Sequence, residues 1–318
     1  MPIGRTVKRM KAVRIHRFGP PEVISLDDVP KPEPGRGEVV VRVNAAGVGP
    51  WDALIRSGKS ALPQPLPLIL GSDLSGVVDS LGPGVENLKV GDEVFGVTNE
   101  RFTGAYAEYA VAKASMIAPK PKTLNHTHAA SVPVVAVTAW QMAFDFAQLS
   151  SGQSVLVHGG AGNVGGYAVQ LAKRAGAVVI ATASSENAPY VRRLGADGVI
   201  DYRARRFEER VKEIDAVIDT VGGETLDRSF GVLKRGGIIV SAAAQPSKEK
   251  AEQHGVRAVF FLVQVTTERL TMISEMIDAG ALQSEVGEVL WLDEARRGHE
   301  MLEGAPHRRG KIVIKVAD

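Results

Sequence analysis

The chain contains no cysteine. Disulfides, a thiol nucleophile and any zinc site built on thiolates are therefore excluded. Neither sign of charge dominates: the net charge is +2, so nothing indicates a nucleic-acid or acidic-surface partner. No apolar run is long enough to span a membrane. Positions 1–9 are basic but short and lack an apolar centre. They read as a solvated extension before the first strand rather than a secretory signal, which makes a cytoplasmic location the default expectation. What is present, 318 residues of which 44% are apolar, suits two domains of ordinary size with real cores.

The most informative stretch runs from Ser154 to Gly166. A short β-branched strand, Ser154 to Val157, leads through His158 into glycines, with Gly159, Gly162 and Gly165 recurring at every third residue. Val164 to Ala175 then reads as a helix. Val164, Ala168, Leu171, Ala172 and Ala175 share its apolar stripe, and Gln170, Lys173 and Arg174 point outward. Bare α-carbons let the turn tighten and let the helix lie close on the sheet. They also let backbone N–H groups of the turn and helix start, Asn163 and Val164 included, approach a diphosphate. A second buried strand follows Gly176, from Ala177 to Thr182. Further strands at Ala216–Asp219 and Ile238–Ser241 flank a helix expected over Thr225–Leu233. This strand–turn–helix–strand series is the dinucleotide-binding pattern.

The choice of nucleotide follows from the end of the second strand. An NAD-preferring site carries an acidic residue there that bonds the ribose 2′-hydroxyl. Here the position holds Ala183, Ser184 and Ser185, and hydroxyls donate to a 2′-phosphate without repelling it. Arg192, Arg193, Tyr202 and Arg203 lie further along, although each cation taken singly is an ordinary solvated residue. Glu186 argues the other way. NADPH is the expected coenzyme.

The first half reads differently. Short strands at Lys11–Arg17, Glu38–Ala45, Ser75–Gly82 and Asp92–Val97, with Val23–Leu26 pairing the first, stand between Gly and Pro punctuation. They predict a β-rich, barrel-like domain. Leu62 to Pro67 carries three prolines and reads as an extended loop.

Several motifs, in order, carry a family resemblance: Gly47-Val48-Gly49-Pro50-Trp51-Asp52, Gly71-Ser72-Asp73, Val90-Gly91-Asp92-Glu93-Val94, Gly104-Ala105-Tyr106-Ala107-Glu108-Tyr109, Ala136-Val137-Thr138-Ala139-Trp140, the glycine turn, and Arg309-Gly310-Lys311-Ile312-Val313. Together they resemble the medium-chain dehydrogenase/reductase superfamily, in its zinc-free quinone oxidoreductase-like branch. The resemblance implies an α/β protein. It implies a GroES-like β-barrel catalytic domain over 10–123, completed by 268–318, a Rossmann doubly wound parallel sheet over 124–267, and catalysis between the two. It also implies a homodimer, joined along an edge strand near Gly237–Ala244 or Val259–Val263.

Departures from the family pattern bear on the chemistry. Zinc-dependent relatives place a cysteine near position 49 and a His-Glu pair after Gly71, where this chain has Gly49 and Ser72-Asp73. No metal site is expected, and His126 and His128 read as the start of a surface helix. Many quinone reductases also have Asn at position 49 and Tyr at position 54, which here are Gly49 and Leu54.

By resemblance, Thr138 holds the carboxamide end of the nicotinamide, and Lys311 belongs to the coenzyme site. Val221, Ala242, Ala243, Phe261 and Val263 wall the ring, though each is equally well explained as sheet-edge packing. Reducing a quinone or a conjugated C=C makes an anion that needs hydrogen-bond donors and a proton. Tyr106 is the leading candidate donor. Trp51 offers a flat face to a planar substrate or plugs the barrel, and Asp52 orders a loop. Tyr109 and Lys113 have the spacing of a short-chain dehydrogenase pair, but they alternate as on a strand and precede the glycine turn. The expectation is an NADPH-dependent, zinc-independent reductase of quinones or α,β-unsaturated carbonyl compounds. The alternative is an NADPH-binding sensor or structural protein without turnover.

Overall fold

The computed structural model describes residues 8–317; residues 1–7, most of the expected N-terminal extension, lie outside it. The chain divides into two compact units. One comprises residues up to 134 with 265–280 and 284 onward, and the other 135–264 with 281–283.

In the first unit, β1 (Arg9–Ile15) and β2 (Ile24–Pro30) pair antiparallel, Val13 opposite Leu26. The long strand β3 (Glu38–Val48) buries Val39, Val40, Val41 and Val43 completely; Val39, Val41 and Val43 belong to the core cluster of this unit, and neighbouring strands pair both edges. Gly49 and Pro50 then start the short helix α1 (Pro50–Arg56), proline being suited to a first helical position. The proline-rich stretch 62–67 forms neither helix nor strand. Next come β4 (Leu68–Ile69), β5 (Asp73–Leu81), β6 (Glu93–Val97), β7 (Tyr109–Lys113) and β8 (Ile117–Pro119). Helix α2 (His126–Ala130) is capped by Asn125, whose Oδ1 accepts from the His128 amide at 2.9 Å. Tyr109 and Lys113 stand at opposite ends of a strand, as their alternation predicts. Their partners are the Lys31 ammonium over the Tyr109 ring and Glu100 for Lys113.

Helix α3 (Pro133–Trp140) carries the chain into the second unit. There β9 (Ser154–His158), α4 (Asn163–Arg174), β10 (Val178–Ala183), α5 (Ala188–Arg193), β11 (Gly198–Asp201), β12 (Ile214–Asp219), α6 (Gly223–Ser229), β13 (Leu233–Ser241), α7 (Lys248–His254) and β14 (Arg257–Phe260) follow in order. The sheet order is β11-β10-β9-β12-β13-β14 with every pair parallel. This is the expected doubly wound arrangement. Val155, Leu156 and Val157 are fully buried, each burial stabilising by about 1.5–3 kcal/mol.

Three local expectations need correction. The helix placed at 225–233 starts at Gly223 and ends at Ser229, and Leu233 already pairs with Ile214 in the sheet. Gln170 does not point outward: residues 281–283 cover it, and its amide exchanges hydrogen bonds with the Gln283 backbone at 2.8 and 3.2 Å. Finally, β13 is flanked by β12 and β14, so of the two stretches named for dimerisation only the one at β14 borders a free edge.

The chain then returns to the first unit through α8 (Thr267–Asp278), β15 (Val286–Trp291), α9 (Ala295–Leu302) and β16 (Lys311–Lys315). The Thr267 hydroxyl bonds the carbonyl of Ile117 at 2.8 Å. Strand β16 pairs with β3, Ile312 opposite Val48, giving the sheet order β15-β16-β3-β5-β6-β8 with β7 also on β3. Among the described residues no helix is long and apolar enough to cross a membrane.

Candidate functional site

Two groups of residues are candidates for the chemistry, one in each unit. In the second unit, the C-terminal ends of the parallel strands hold the glycine turn. Gly159 adopts φ +71°, a left-handed conformation that a side chain disfavours. A Cβ on Gly165 would lie 2.1 Å from the Gly159 carbonyl oxygen; only a bare α-carbon lets the helix approach this closely. Gly162 precedes α4 in extended conformation and supplies no side-chain cap. The first N–H groups of a helix have no partner within it, so those of Asn163 and Val164 suit the diphosphate of a dinucleotide.

The turn is pinned from below. Gly159 N–H donates to Thr182 Oγ1 at 3.2 Å, and Gly160 N–H to the Thr182 carbonyl at 2.9 Å. His158, fully buried, lies 3.2 Å from Thr182 Oγ1 through Nδ1 and 2.9 Å from Ser229 Oγ through Nε2. Ser229 gives its one hydroxyl proton to the Thr225 carbonyl, so Nε2–H donates to Ser229 and Nδ1 accepts from Thr182. Burial lowers the His158 pKa to about 4, keeping this tautomer neutral.

Two residues missed in the sequence shape the neighbouring loops. The buried carboxylate of Asp219, at the end of β12, accepts from the amides of Val221 and Gly222 and from Ser241 Oγ at 2.7 Å. Ser241 Oγ in turn accepts from the amides of Ala243 and Ala244, both at 3.1 Å. One acidic residue and one hydroxyl thus fix the two loops that present Val221, Ala242 and Ala243. The sequence signal was a polar residue closing each of two apolar strands. Thr138 is buried on α3. Phe261 packs against Phe146, ring centroids 4.7 Å apart, and Val263 follows it half-buried.

Ser184 and Ser185 follow β10, with Ser184 buried and Ser185 exposed. The Ser184 hydroxyl donates to Glu186 Oε1 at 3.1 Å and accepts from Asn187 Nδ2 at 2.9 Å. Arg203 Nη1 reaches the same Glu186 oxygen at 3.5 Å, while its guanidinium lies 5.7 Å from the centre of the exposed Tyr202 ring.

The first unit holds a buried polar corner. The Trp51 ring lies across Gly49 so closely that a Cβ there would meet it at 2.2 Å. Trp51 Nε1 donates to Ser72 Oγ at 3.0 Å, and the Lys311 ammonium sits 4.3 Å from the centre of the ring. Lys311, at the start of β16, pairs with Asp73 Oδ2 at 3.0 Å, both side chains fully buried. Asp73 Oδ1 accepts from the Val134 amide. Burial raises the Asp73 pKa, opposed by Lys311.

Asp52 Oδ2 accepts from the Gly49 amide at 2.8 Å and from the Tyr106 hydroxyl at 3.0 Å. Burial pushes its pKa to about 7, opposed by the Gly49 hydrogen bond and Lys311. Tyr106 is fully buried, its ring against Gly71, and burial together with Asp52 raises its pKa well above the usual phenol value. Behind it, His299 is fully buried, with its ring edge-on to Tyr106 at 6.2 Å.

A catalytic zinc ion does not fit this corner. Gly49 offers no donor atom, the indole occupies the space beside it, and Asp73 is committed to Lys311 and Val134. Among the described residues no group of three His, Asp or Glu side chains is placed to hold a metal.

Two family models match the chain: an alcohol dehydrogenase GroES-like domain over residues 35–122 and a zinc-binding dehydrogenase over residues 194–314. Quinone oxidoreductase of Mus musculus is 31% identical, the match covering 96% of this chain and 98% of the mouse protein. The chain belongs to the medium-chain dehydrogenase/reductase superfamily. Within this superfamily, the mitochondrial NAD(P)H oxidoreductase RTN4IP1 of Danio rerio is 32% identical over 88% of this chain and 84% of that protein. The solved quinone oxidoreductase from Coxiella burnetii superposes with a TM-score of 0.90 at 37% identity, covering 97% of this chain and all of that one. The chain is accordingly a quinone oxidoreductase-like member of the superfamily and an oxidoreductase, with a fold that takes a nicotinamide cofactor.

Proposed function

We propose that this oxidoreductase uses NADPH to reduce quinones or α,β-unsaturated carbonyl compounds without a metal ion. The observation that carries the reading is the Trp51 indole lying over Gly49 and bonded to Ser72. A flat apolar face stands where zinc-dependent relatives hold their metal, and the substrates named for the mouse and Coxiella relatives are planar.

When bound, the reduced nicotinamide supplies the hydride. The chain's own residues bind, orient and exclude water. Amides at Asn163 and Val164 hold the diphosphate, and Ser184, Ser185 and Tyr202 lie beside the adenosine ribose. Thr138, Val221, Ala242, Ala243, Phe261 and Val263 border the nicotinamide, on loops kept in place by Asp219 and Ser241. Lys311 steadies Trp51 and adds positive charge. The Tyr106 hydroxyl, buried and engaged with Asp52, holds α1 in position, and the proton for the product anion comes from solvent or the coenzyme ribose. A cytoplasmic homodimer joined along β14 completes the proposal.

The test is NADPH oxidation with a panel of quinones and enones before and after exhaustive chelation. Turnover that survives chelation is expected. Tight NADPH binding with no accepted acceptor would favour the sensor alternative, and turnover restored only by added zinc would defeat the metal-free reading.

A further inference from the structure

The polar cluster beyond β10 has a feature that the nucleotide reading leaves unused. Strands β10 and β11 are parallel neighbours in register, Ala183 opposite Asp201. Ser184 and the Tyr202–Arg203 segment therefore leave the sheet from adjacent strand ends. Thr182, two residues earlier, is tied to Gly159 and Gly160, so the position of Ser184 relative to the glycine turn is fixed. The Ser184 hydroxyl and the Arg203 guanidinium converge on one oxygen, Glu186 Oε1, at 3.1 and 3.5 Å.

We infer that Glu186 sets the choice between NADPH and NADH: its carboxylate stands where a 2′-phosphate would be held, and NADPH must displace it. This rests on the reading that the turn binds a nicotinamide dinucleotide. A hydroxyl donor and a guanidinium meeting on one oxyanion is the arrangement that holds a phosphate. Glu186 and Arg203 are 68% and 63% exposed, so solvent weakens their mutual attraction. A dianion that engages the guanidinium fork displaces this carboxylate at small cost. NADH meets the opposite situation, because its ribose 2′-hydroxyl is a donor and a carboxylate at this place accepts it. One side chain thus assists NADH and opposes NADPH, first by occupying the donors and then by repelling the phosphate. Removing its charge shifts the balance toward NADPH.

The experiment titrates NADPH and NADH, at one fixed ionic strength, into the wild type, Glu186→Gln, Arg203→Ser and the double variant. Circular dichroism confirms that each is folded. In Glu186→Gln the ratio of the NADH Kd to the NADPH Kd should rise at least about threefold, the scale of one exposed charge contact. Arg203→Ser should weaken NADPH and cancel most of that gain in the double variant. If the wild type binds a nucleotide but the ratio is unchanged in Glu186→Gln, the inference falls and the coenzyme reading stands. A folded wild type that binds neither nucleotide overturns both.

Discussion

Asp52 and His158 are both buried titratable groups, and they pull stability in opposite directions with pH. The folded-state pKa of Asp52 is about 7 against an ordinary value of 3.8. Its protonated form is favoured by folding, so its contribution is fully present below about pH 4 and is lost as pH rises to about 7. His158 is lowered from 6.5 to about 4, so its contribution is present above pH 6.5 and is lost as pH falls toward 4. Asp52→Asn keeps the acceptor oxygen and removes the charge. It should flatten the decline in thermal midpoint between pH 4 and 7 while leaving the acid limb intact; an unchanged profile would contradict the raised pKa. At Gly165 an added methyl meets the Gly159 carbonyl. Gly165→Ala should cost about 1–3 kcal/mol through strain and weaken NADPH binding, both measurable by denaturant titration and calorimetry. The glycine spacing announced the tight turn, whereas the Trp51 ring over Gly49 depends on Ser72, just before β5, and on Lys311 of β16, both distant in sequence.

Elements were the most legible level. β-branched alternation marked β1, β3, β5, β6 and the core strands of the parallel sheet, because one or both faces of each are buried and residue type records that burial. Strand β11 and helix α7 escaped notice: β11 has only four residues and buries one of them, and α7 is almost wholly polar. Gln170 shows the limit of helical periodicity, since a polar side chain on α4 reads as solvent-facing until the backbone of 281–283 is seen to cover it. The loops after β12 and β13 behave as a unit through Asp219. Asp219→Ala leaves the amides of Val221 and Gly222 and the Ser241 hydroxyl without their acceptor, a loss of about 1–3 kcal/mol. Because these loops border the proposed nicotinamide position rather than the diphosphate turn, kcat should fall more than NADPH affinity does. Equal losses in both would place the effect on the whole domain instead.

At the scale of the whole molecule, the proposed chemistry rests on backbone amides, hydroxyls, carboxylates, one lysine and one indole, with no thiol anywhere. N-ethylmaleimide and strong thiol reductants should therefore leave both turnover and thermal midpoint unchanged, and inactivation by the maleimide would point to another nucleophile at the site. The sequence by itself determined the two-part α/β plan, the glycine turn for a dinucleotide, and the absence of any thiolate. These depend on local spacing and on which residue types are present. Only the tertiary structure decided that the Trp51 ring, bonded to Ser72, covers Gly49, that Tyr106 bonds Asp52, and that Glu186 meets Ser184 and Arg203. Each of these joins residues from separate elements, and periodicity reports that a face is covered without naming what covers it.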